Sequence, residues 1–246
     1  MSSTVDPVAL RTLGRMSADL AAGSPAHDLV ERLVDDLNQP LGLDFSLRYE
    51  LPPSAGELRL HTTIGVPTPL RPALEVVPLG DAVCGLVAEK RRPEAHARVD
   101  ADPEERLSLA RALDATAYAS FPLTAGPAVL GTLSLGSRTR PEFGDADLAV
   151  LGAAADLVTA AAARERDRTL VESALAARAE AEERIAHLET ALVTNRTIAM
   201  AIGVVMAARK LTEEQAHRWL TEASQRTNRK MRVLADRIVH TGSLEV

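Results

Sequence analysis

The sequence predicts an α+β domain, then a long helix, then a small all-α unit of three helices. Three observations predict that order. Strand and helix patterns alternate over residues 5–163. Residues 164–195 are charged, Ala-rich and free of Gly and Pro, and residues 196–246 carry three short apolar stripes at helical spacing. With 246 residues and 46% hydrophobic content, the chain has room for one large or two modest domains with buried cores.

Pro7–Ala22 and Ser24–Asn38 each read as an amphipathic helix. In the second, Leu29, Val30, Leu33, Val34 and Leu37 form the inward face, with Ser24 as the expected cap and Pro25 as the first helical residue. Asp44–Leu51 and Glu57–Ile64 read as strands joined across the turn-rich Pro52-Pro53-Ser54-Ala55-Gly56. Residues 65–78 hold four prolines and are expected as loop with one short extended piece. Val77–Pro93 reads as a loop running into a short helix, with Val83, Leu86 and Val87 inward. Pro103–Leu113 reads as a further helix. Ala117–Leu123 and Ala128–Ser137 are strands flanking the turn Thr124-Ala125-Gly126-Pro127. Asp145 and Asp147 then open a long helix, where acidic groups suit the positive end of the helix dipole.

Over 164–195 a continuous helical linker is expected, joining the α+β domain of 5–163 to the C-terminal unit. Ile185, Leu188 and Leu192 take positions a, d and a of a heptad, and Val171, Ala174, Arg178 and Ala181 extend the seam weakly backwards. Pairing with a second copy is the favoured reading, because an isolated helix of this length needs its apolar face covered. A lone helix packed on its own domain is the alternative.

In the C-terminal stretch, Ile198, Ile202, Val205 and Met206 face inward from a first helix ending near Lys210. Thr212-Glu-Glu-Gln215 is a capping-box pattern: the Thr212 hydroxyl takes a free amide while Gln215 reaches back. Ala216, Trp219, Leu220 and Ala223 then recur at helical spacing. Asn228 is the expected stop, Met231, Leu234, Ala235, Ile238 and Val239 the third inward face, and Gly242 its end. Trp219 falls on the core stripe, not on a stacking surface. A glycine inside a helix costs up to about 1 kcal/mol, so Gly203 is expected to mark a close-packed position.

Charge separates the two ends of the chain. The net charge is −6, yet residues 196–246 hold 9 Lys+Arg against 5 Asp+Glu, while residues 1–160 hold 14 against 22. A polyanion should meet the C-terminal end, because phosphate neutralisation supplies much of nucleic-acid affinity. The contact candidates are Arg196, Arg226, Arg229, Lys230 and Arg232, with Ser224 and Asn228 as hydrogen-bonding groups for bases. Aromatics at 2% argue against a stacking-rich surface, and a single cysteine excludes an intrachain disulfide and suits a reducing compartment. Met1–Ala21 lacks the apolar run of a signal peptide, and Ala149–Ala163 is too short and too weakly apolar to span a bilayer. A cytoplasmic protein without a membrane partner is expected.

Elsewhere the chemistry is sparse. Cys84 stands between Val83 and Gly85, and a free cysteine is commonly a small buried hydrophobe. His27, His61 and His96 show no metal-ligand spacing, so no metal and no cofactor are expected, and a small ligand of unknown identity is left open. Asp100, Asp102, Glu104 and Glu105 read as a loop and an acidic helix start, not a catalytic pair.

Two family resemblances rest on these residues. Arg196, Ile198, Ala201, Gly203 and Met206, then Thr212, Ala216, Leu220, Ser224, Asn228 and Lys230, then Ala235 and Ile238 stand in the order and spacing of ANTAR domains. The resemblance covers about fifty residues within 184–246 and needs no gap; it implies RNA binding and transcription antitermination at paired hairpin loops of a leader transcript. AYASFPL, the turn, and VLGTLSLGSRTRPEFGDADLAVL, preceded by VPLGDAVCGLVAEKRRP, resemble GAF sensory domains. That likeness is diffuse over about 160 residues. It implies an antiparallel sheet with helices on one side and room for a ligand on the other, with Cys84 as a candidate residue of that sensor cavity. The cyclic-nucleotide signature of some GAF domains is incomplete: Phe143-x-x-x-Asp147 is followed by Leu148, with no Asn-Lys before it. Together these readings point to a non-enzymatic, dimeric regulator. A DNA-binding factor with a helix-turn-helix-like tail is the first alternative, and a Cys-dependent GAF-type reductase, which usually needs a second thiol, the other.

Overall fold

The computed structural model describes residues 6–53 and 55–245. Val5 at the edge of the expected sensor domain, Ser54 in the expected turn and Val246 at the C-terminus lie outside them. The chain divides into two compact units, residues 1–170 and 171–246.

In the first unit, α1 (Pro7–Ala22) starts where Asp6 Oδ1 accepts the Val8 N–H at 2.6 Å, and stops at Gly23 with φ +95°. α2 spans Ala26–Leu41, with the expected inward leucines and valines buried. Its start differs from expectation. Pro25 is the flanking residue and Ser24 supplies no cap; the free amide of Ala26 is taken by Glu165 Oε1 at 2.7 Å, from a helix 139 residues further on. A partner so distant cannot be read from local sequence.

β1 (Phe45–Glu50) and β2 (Glu57–Ile64) follow as expected. The proline-rich stretch folds as a 3-10 turn over Thr68–Leu74 before the short β3 (Val76–Pro78). α3 (Ala82–Lys90) begins with the Asp81 carboxylate accepting the Ala82 N–H. β4 (Glu94–Ala97) was not expected, since Glu and Ala favour strands poorly; it exists by pairing with its neighbour. Pro103–Leu113 forms a 3-10 turn, Glu105–Leu107, and the short α4 (Ser108–Ala112) instead of one helix. β5 (Ala117–Ala125) and β6 (Ala128–Ser137) form the expected hairpin, and α5 runs from Asp145 to Arg209.

The six strands lie in the order β3-β2-β1-β6-β5-β4, every pair antiparallel. Alternate residues point to opposite faces, so the sheet has two cores. On one face, Ala119, Phe121, Leu133 and Leu135 meet the apolar stripes of α1, α2 and the first turns of α5. On the other, Phe45, Leu47, Tyr49 and Tyr118 meet Val83 and Val87 of α3 and Leu107. Close approach requires a glycine on β6. Gly136 stands opposite Phe45, and a Cβ there would lie 2.1 Å from the Phe45 ring.

In the second unit, the last turns of α5 pack with α6 (Glu213–Thr227) and α7 (Met231–Thr241). Ala201, Ile202, Val205, Ala216, Leu220, Ala223, Leu234, Ala235 and Ile238 are buried together. Each buried leucine or isoleucine contributes about 1.5–3 kcal/mol. The capping box forms as read: Thr212 Oγ1 accepts the Gln215 N–H at 3.4 Å and Gln215 Oε1 accepts the Thr212 N–H at 3.0 Å. Asn228 at φ +51° and Gly242 at φ +65° end α6 and α7. Gly203 departs from expectation. It is exposed, with no atom within 4 Å of the position its Cβ would take, so its freedom is not spent on packing within the chain.

Between its two packed ends, α5 carries uncovered apolar side chains. Val171, Leu175, Ile185, Leu188, Leu192 and Val193 are 55–69% exposed, and the ion pairs Arg178–Glu182 and Glu180–Arg184 lie among them. The helix also contains an 18-residue window of mean hydropathy 1.6, long and apolar enough by composition to cross a membrane. Ala201, Ile202 and Val205 near its end belong to the second unit's core, which accounts for part of that apolar content.

Candidate functional site

The basic residues of the second unit are arranged by the joint between α6 and α7. Asn228, in the left-handed region, turns the chain, and its N–H meets the Gln225 carbonyl at 3.2 Å. The Arg229 N–H reaches the Ser224 carbonyl at 3.1 Å, and Ser224 Oγ donates to the Arg229 carbonyl at 2.5 Å. Ser224 and Asn228, expected to face bases, thus also hold the joint itself: the hydroxyl proton of Ser224 is committed to backbone. The joint presents Arg226, Arg229, Lys230 and Arg232 to solvent, and Arg196 is exposed on α5.

Folding also brings the expected Arg226 together with two cations absent from the expected residues, Arg209 and Arg237. Arg209 lies over the Trp219 ring with its guanidinium carbon 4.7 Å from the centroid, a contact that contributes about 0.5–1 kcal/mol at an exposed site. Arg209, Trp219, Arg226 and Arg237 line a recess of about 560 Å³ with Leu244 and Glu245. Trp219 is therefore part core, as expected, and part support for an arginine. Arg209 and Arg237 are 28 positions apart on different helices, so no local spacing marks them as a pair.

In the first unit a cavity of about 910 Å³ opens on the helix-covered face of the sheet, between β1 and the stretch of α5 around Glu165. Arg48 belongs to its wall and is 2% exposed. Its Nη2 donates to Glu50 Oε1 and Glu165 Oε2, both at 3.1 Å, and its Nη1 lies 3.3 Å from His61 Nδ1. Nε has no partner. Arg164 donates to the Leu20 and Ser24 carbonyls at 2.8 and 2.5 Å. Arg166, half-buried in the same wall, has no carboxylate partner among the described residues.

Cys84 does not line that cavity. It is 1% exposed in the core on the opposite face, and burial pushes its thiol up to about 12 from an ordinary value of 9.0. Burial likewise raises Tyr118, and Tyr49, whose hydroxyl donates to the Leu74 carbonyl at 2.9 Å. The residues of the incomplete cyclic-nucleotide signature have structural duties. Phe143 is buried, and Asp147 Oδ2 accepts the Gly144 N–H at 3.0 Å and pairs with Arg140 at 3.2 Å. Asp102 accepts the Glu104 N–H at 2.9 Å, as its place before a helix suggests.

Against known proteins, residues 24–163 match the GAF domain model and residues 186–239 match the ANTAR domain model. The first match spans more than half of the chain. No curated protein matches it. Among solved structures, the GAF domain of a Coxiella burnetii phosphoenolpyruvate-protein phosphotransferase aligns at 19% identity and TM-score 0.55, covering 67% of this chain and 99% of that one. The GAF domain of the Acinetobacter phosphoenolpyruvate-protein phosphotransferase aligns at 17% and 0.53, with coverages of 67% and 99%. Free methionine-R-sulfoxide reductase from Neisseria meningitidis aligns at 22% and 0.51, with coverages of 67% and 96%. At these identities the likeness establishes the fold of the first unit and nothing about its chemistry.

Proposed function

The chain belongs to the GAF domain family and carries an ANTAR domain towards its C-terminus, and from that premise we propose that it is an RNA-binding regulator of transcription antitermination. The observation that carries the reading is coincidence: the ANTAR match over 186–239 falls on the segment that holds the chain's basic excess. Arg226, Arg229, Lys230 and Arg232 take phosphates and base edges around a hairpin loop, with Arg196 contributing from α5. Loops are where an RNA is read, because the major groove of an A-form stem is too narrow for side chains. Binding two hairpins of a leader transcript holds the RNA in a fold that excludes the terminator. The protein then breaks no bond; it shifts an RNA folding equilibrium by its differential affinity.

The exposed stripe through Ile185, Leu188 and Leu192 supports a homodimer paired along α5, which places two RNA-binding units on one transcript. The setting is the cytoplasm, where nascent transcripts are, and the GAF domain acts as sensor. Thiol chemistry at Cys84 is disfavoured by its burial and by its raised pKa.

The test is a mobility-shift titration of the full chain with paired RNA hairpins, a single hairpin, a random single strand and duplex DNA. Preference for paired hairpins supports the reading. Equal affinity for the random strand removes specific recognition, and preference for duplex DNA replaces it with a DNA-binding factor.

A further inference from the structure

We propose that the cavity between β1 and α5 is a binding site for a small organic carboxylate, on the face of the sheet opposite the Cys84 core. The inference does not depend on RNA binding.

Size comes first. About 910 Å³ lies within the range of small-molecule sites, which runs from about 300 to 1,000 Å³. Leu51, Leu123, Leu130 and the ring of Pro52 contribute apolar wall, which suits an aliphatic or aromatic body.

Charge decides the other end of the ligand. Four arginines line the cavity, at positions 48, 164, 166 and 168, against the two carboxylates Glu50 and Glu165; Arg168 has a partner of its own, so the surplus is read on the other three. Both carboxylates are already engaged. Glu165 spends one oxygen on the Ala26 N–H and the other on Arg48, and Glu50 Oε1 meets Arg48 and lies 3.4 Å from His61 Nε2. Among the described residues, Arg166 is left half-buried without a carboxylate. A half-buried cation such as Arg166 calls for counter-charge, and a ligand acid supplies it. A neutral ligand of the same shape would fill the apolar wall and leave that demand unmet.

The site has two structural consequences. Its wall joins residues of β1, at Arg48–Glu50, to residues of α5, at Ala162–Leu170, so a bound acid ties the sheet to that helix. It also lies apart from Val83, Cys84 and Val87 themselves, although Tyr49 and Leu51, which pack with that core, share its wall.

The experiment uses the full chain and two pairs of probes: octanoate against octanol, and benzoate against benzyl alcohol. Titration calorimetry and thermal unfolding read binding, since a ligand of the native state raises the unfolding midpoint. The expected result is binding by at least one acid, with its alcohol at least about tenfold weaker, as suits loss of a charge-assisted hydrogen bond. Arg166→Met should weaken the acid by about tenfold or more without changing the circular dichroism spectrum. Leu51→Trp should abolish binding by filling the space, again with the spectrum unchanged. Equal binding of acids and alcohols, an undiminished Arg166→Met, or no binding of either acid at millimolar concentration overturns the proposal. RNA binding measured on the same samples is expected to persist in both variants, so failure of this site and failure of the RNA reading remain separate outcomes.

Discussion

Glu165 holds Arg48 across 117 residues of sequence: its Oε2 accepts the Arg48 Nη2 at 3.1 Å, while its Oε1 caps α2 through the Ala26 N–H at 2.7 Å. One carboxylate thus closes a helix start and neutralises a guanidinium that is 2% exposed on the helix face of the sheet. The pairing ties α5 to β1 and α2 at the point where the first unit ends.

Removing that carboxylate should cost more than removing the local residue that looked like the cap. Glu165→Ala leaves the Ala26 amide and part of the Arg48 guanidinium without an acceptor, and should destabilise the first unit by about 1–3 kcal/mol. Ser24→Ala should change stability by less than about 0.5 kcal/mol, because the Ser24 side chain caps nothing. Urea unfolding followed by circular dichroism compares the two; equal effects would mean that the distant cap is worth no more than a surface serine.

In the second unit, Thr212→Ala should cost about 1 kcal/mol, the usual worth of a hydroxyl N-cap. Thermal unfolding reads the loss. Thr212 is not among the proposed RNA contacts, so hairpin affinity at low temperature should stay at the wild-type value.

Leu188→Glu should convert the proposed dimer to monomers, since it places like charges opposite one another in an apolar seam. Sedimentation velocity is the measurement. A variant that sediments as the wild type does would move the interface away from Ile185, Leu188 and Leu192.

The Cys84 thiol should be silent in the folded chain. With its pKa pushed up to about 12 from 9.0 by burial, the folded state keeps its proton while the unfolded state loses it. A raised folded pKa means that stability is fully present below pH 9.0 and falls as pH rises from there towards about 12. The buried Tyr49 and Tyr118, also raised, act in the same direction. A disulfide reagent at pH 8 should label native protein far more slowly than protein in denaturant. Equal rates would mean that the core opens around the thiol.

Arg229→Ala and Lys230→Ala should each weaken hairpin binding and reduce the slope of log affinity against log salt by about one where a phosphate contact is lost. Titrations at several salt concentrations measure it. An unchanged slope in both would place the RNA on another surface, and the recess of Arg209, Arg226 and Arg237 would be the first to examine by the same substitution.

Local patterns made much of this architecture legible. The capping box at Thr212–Gln215, the αL stop at Asn228, the hairpin around Gly126 and the helical spacing from Ile198 to Val239 all involve partners a few residues apart, so composition at fixed offsets specifies them. The charge contrast between the ends of the chain is likewise a property of composition. What required the fold is long-range. The cap of α2 comes from Glu165, β4 exists because β5 offers it an edge, and Cys84 faces a packed core instead of a cavity. The cavity that does open is assembled from segments near residues 25, 50, 125 and 165, and the Arg209–Trp219–Arg237 recess from three helices. Periodicity states which face of an element is apolar; it does not state which distant side chain meets that face, and both candidate sites are made of such meetings.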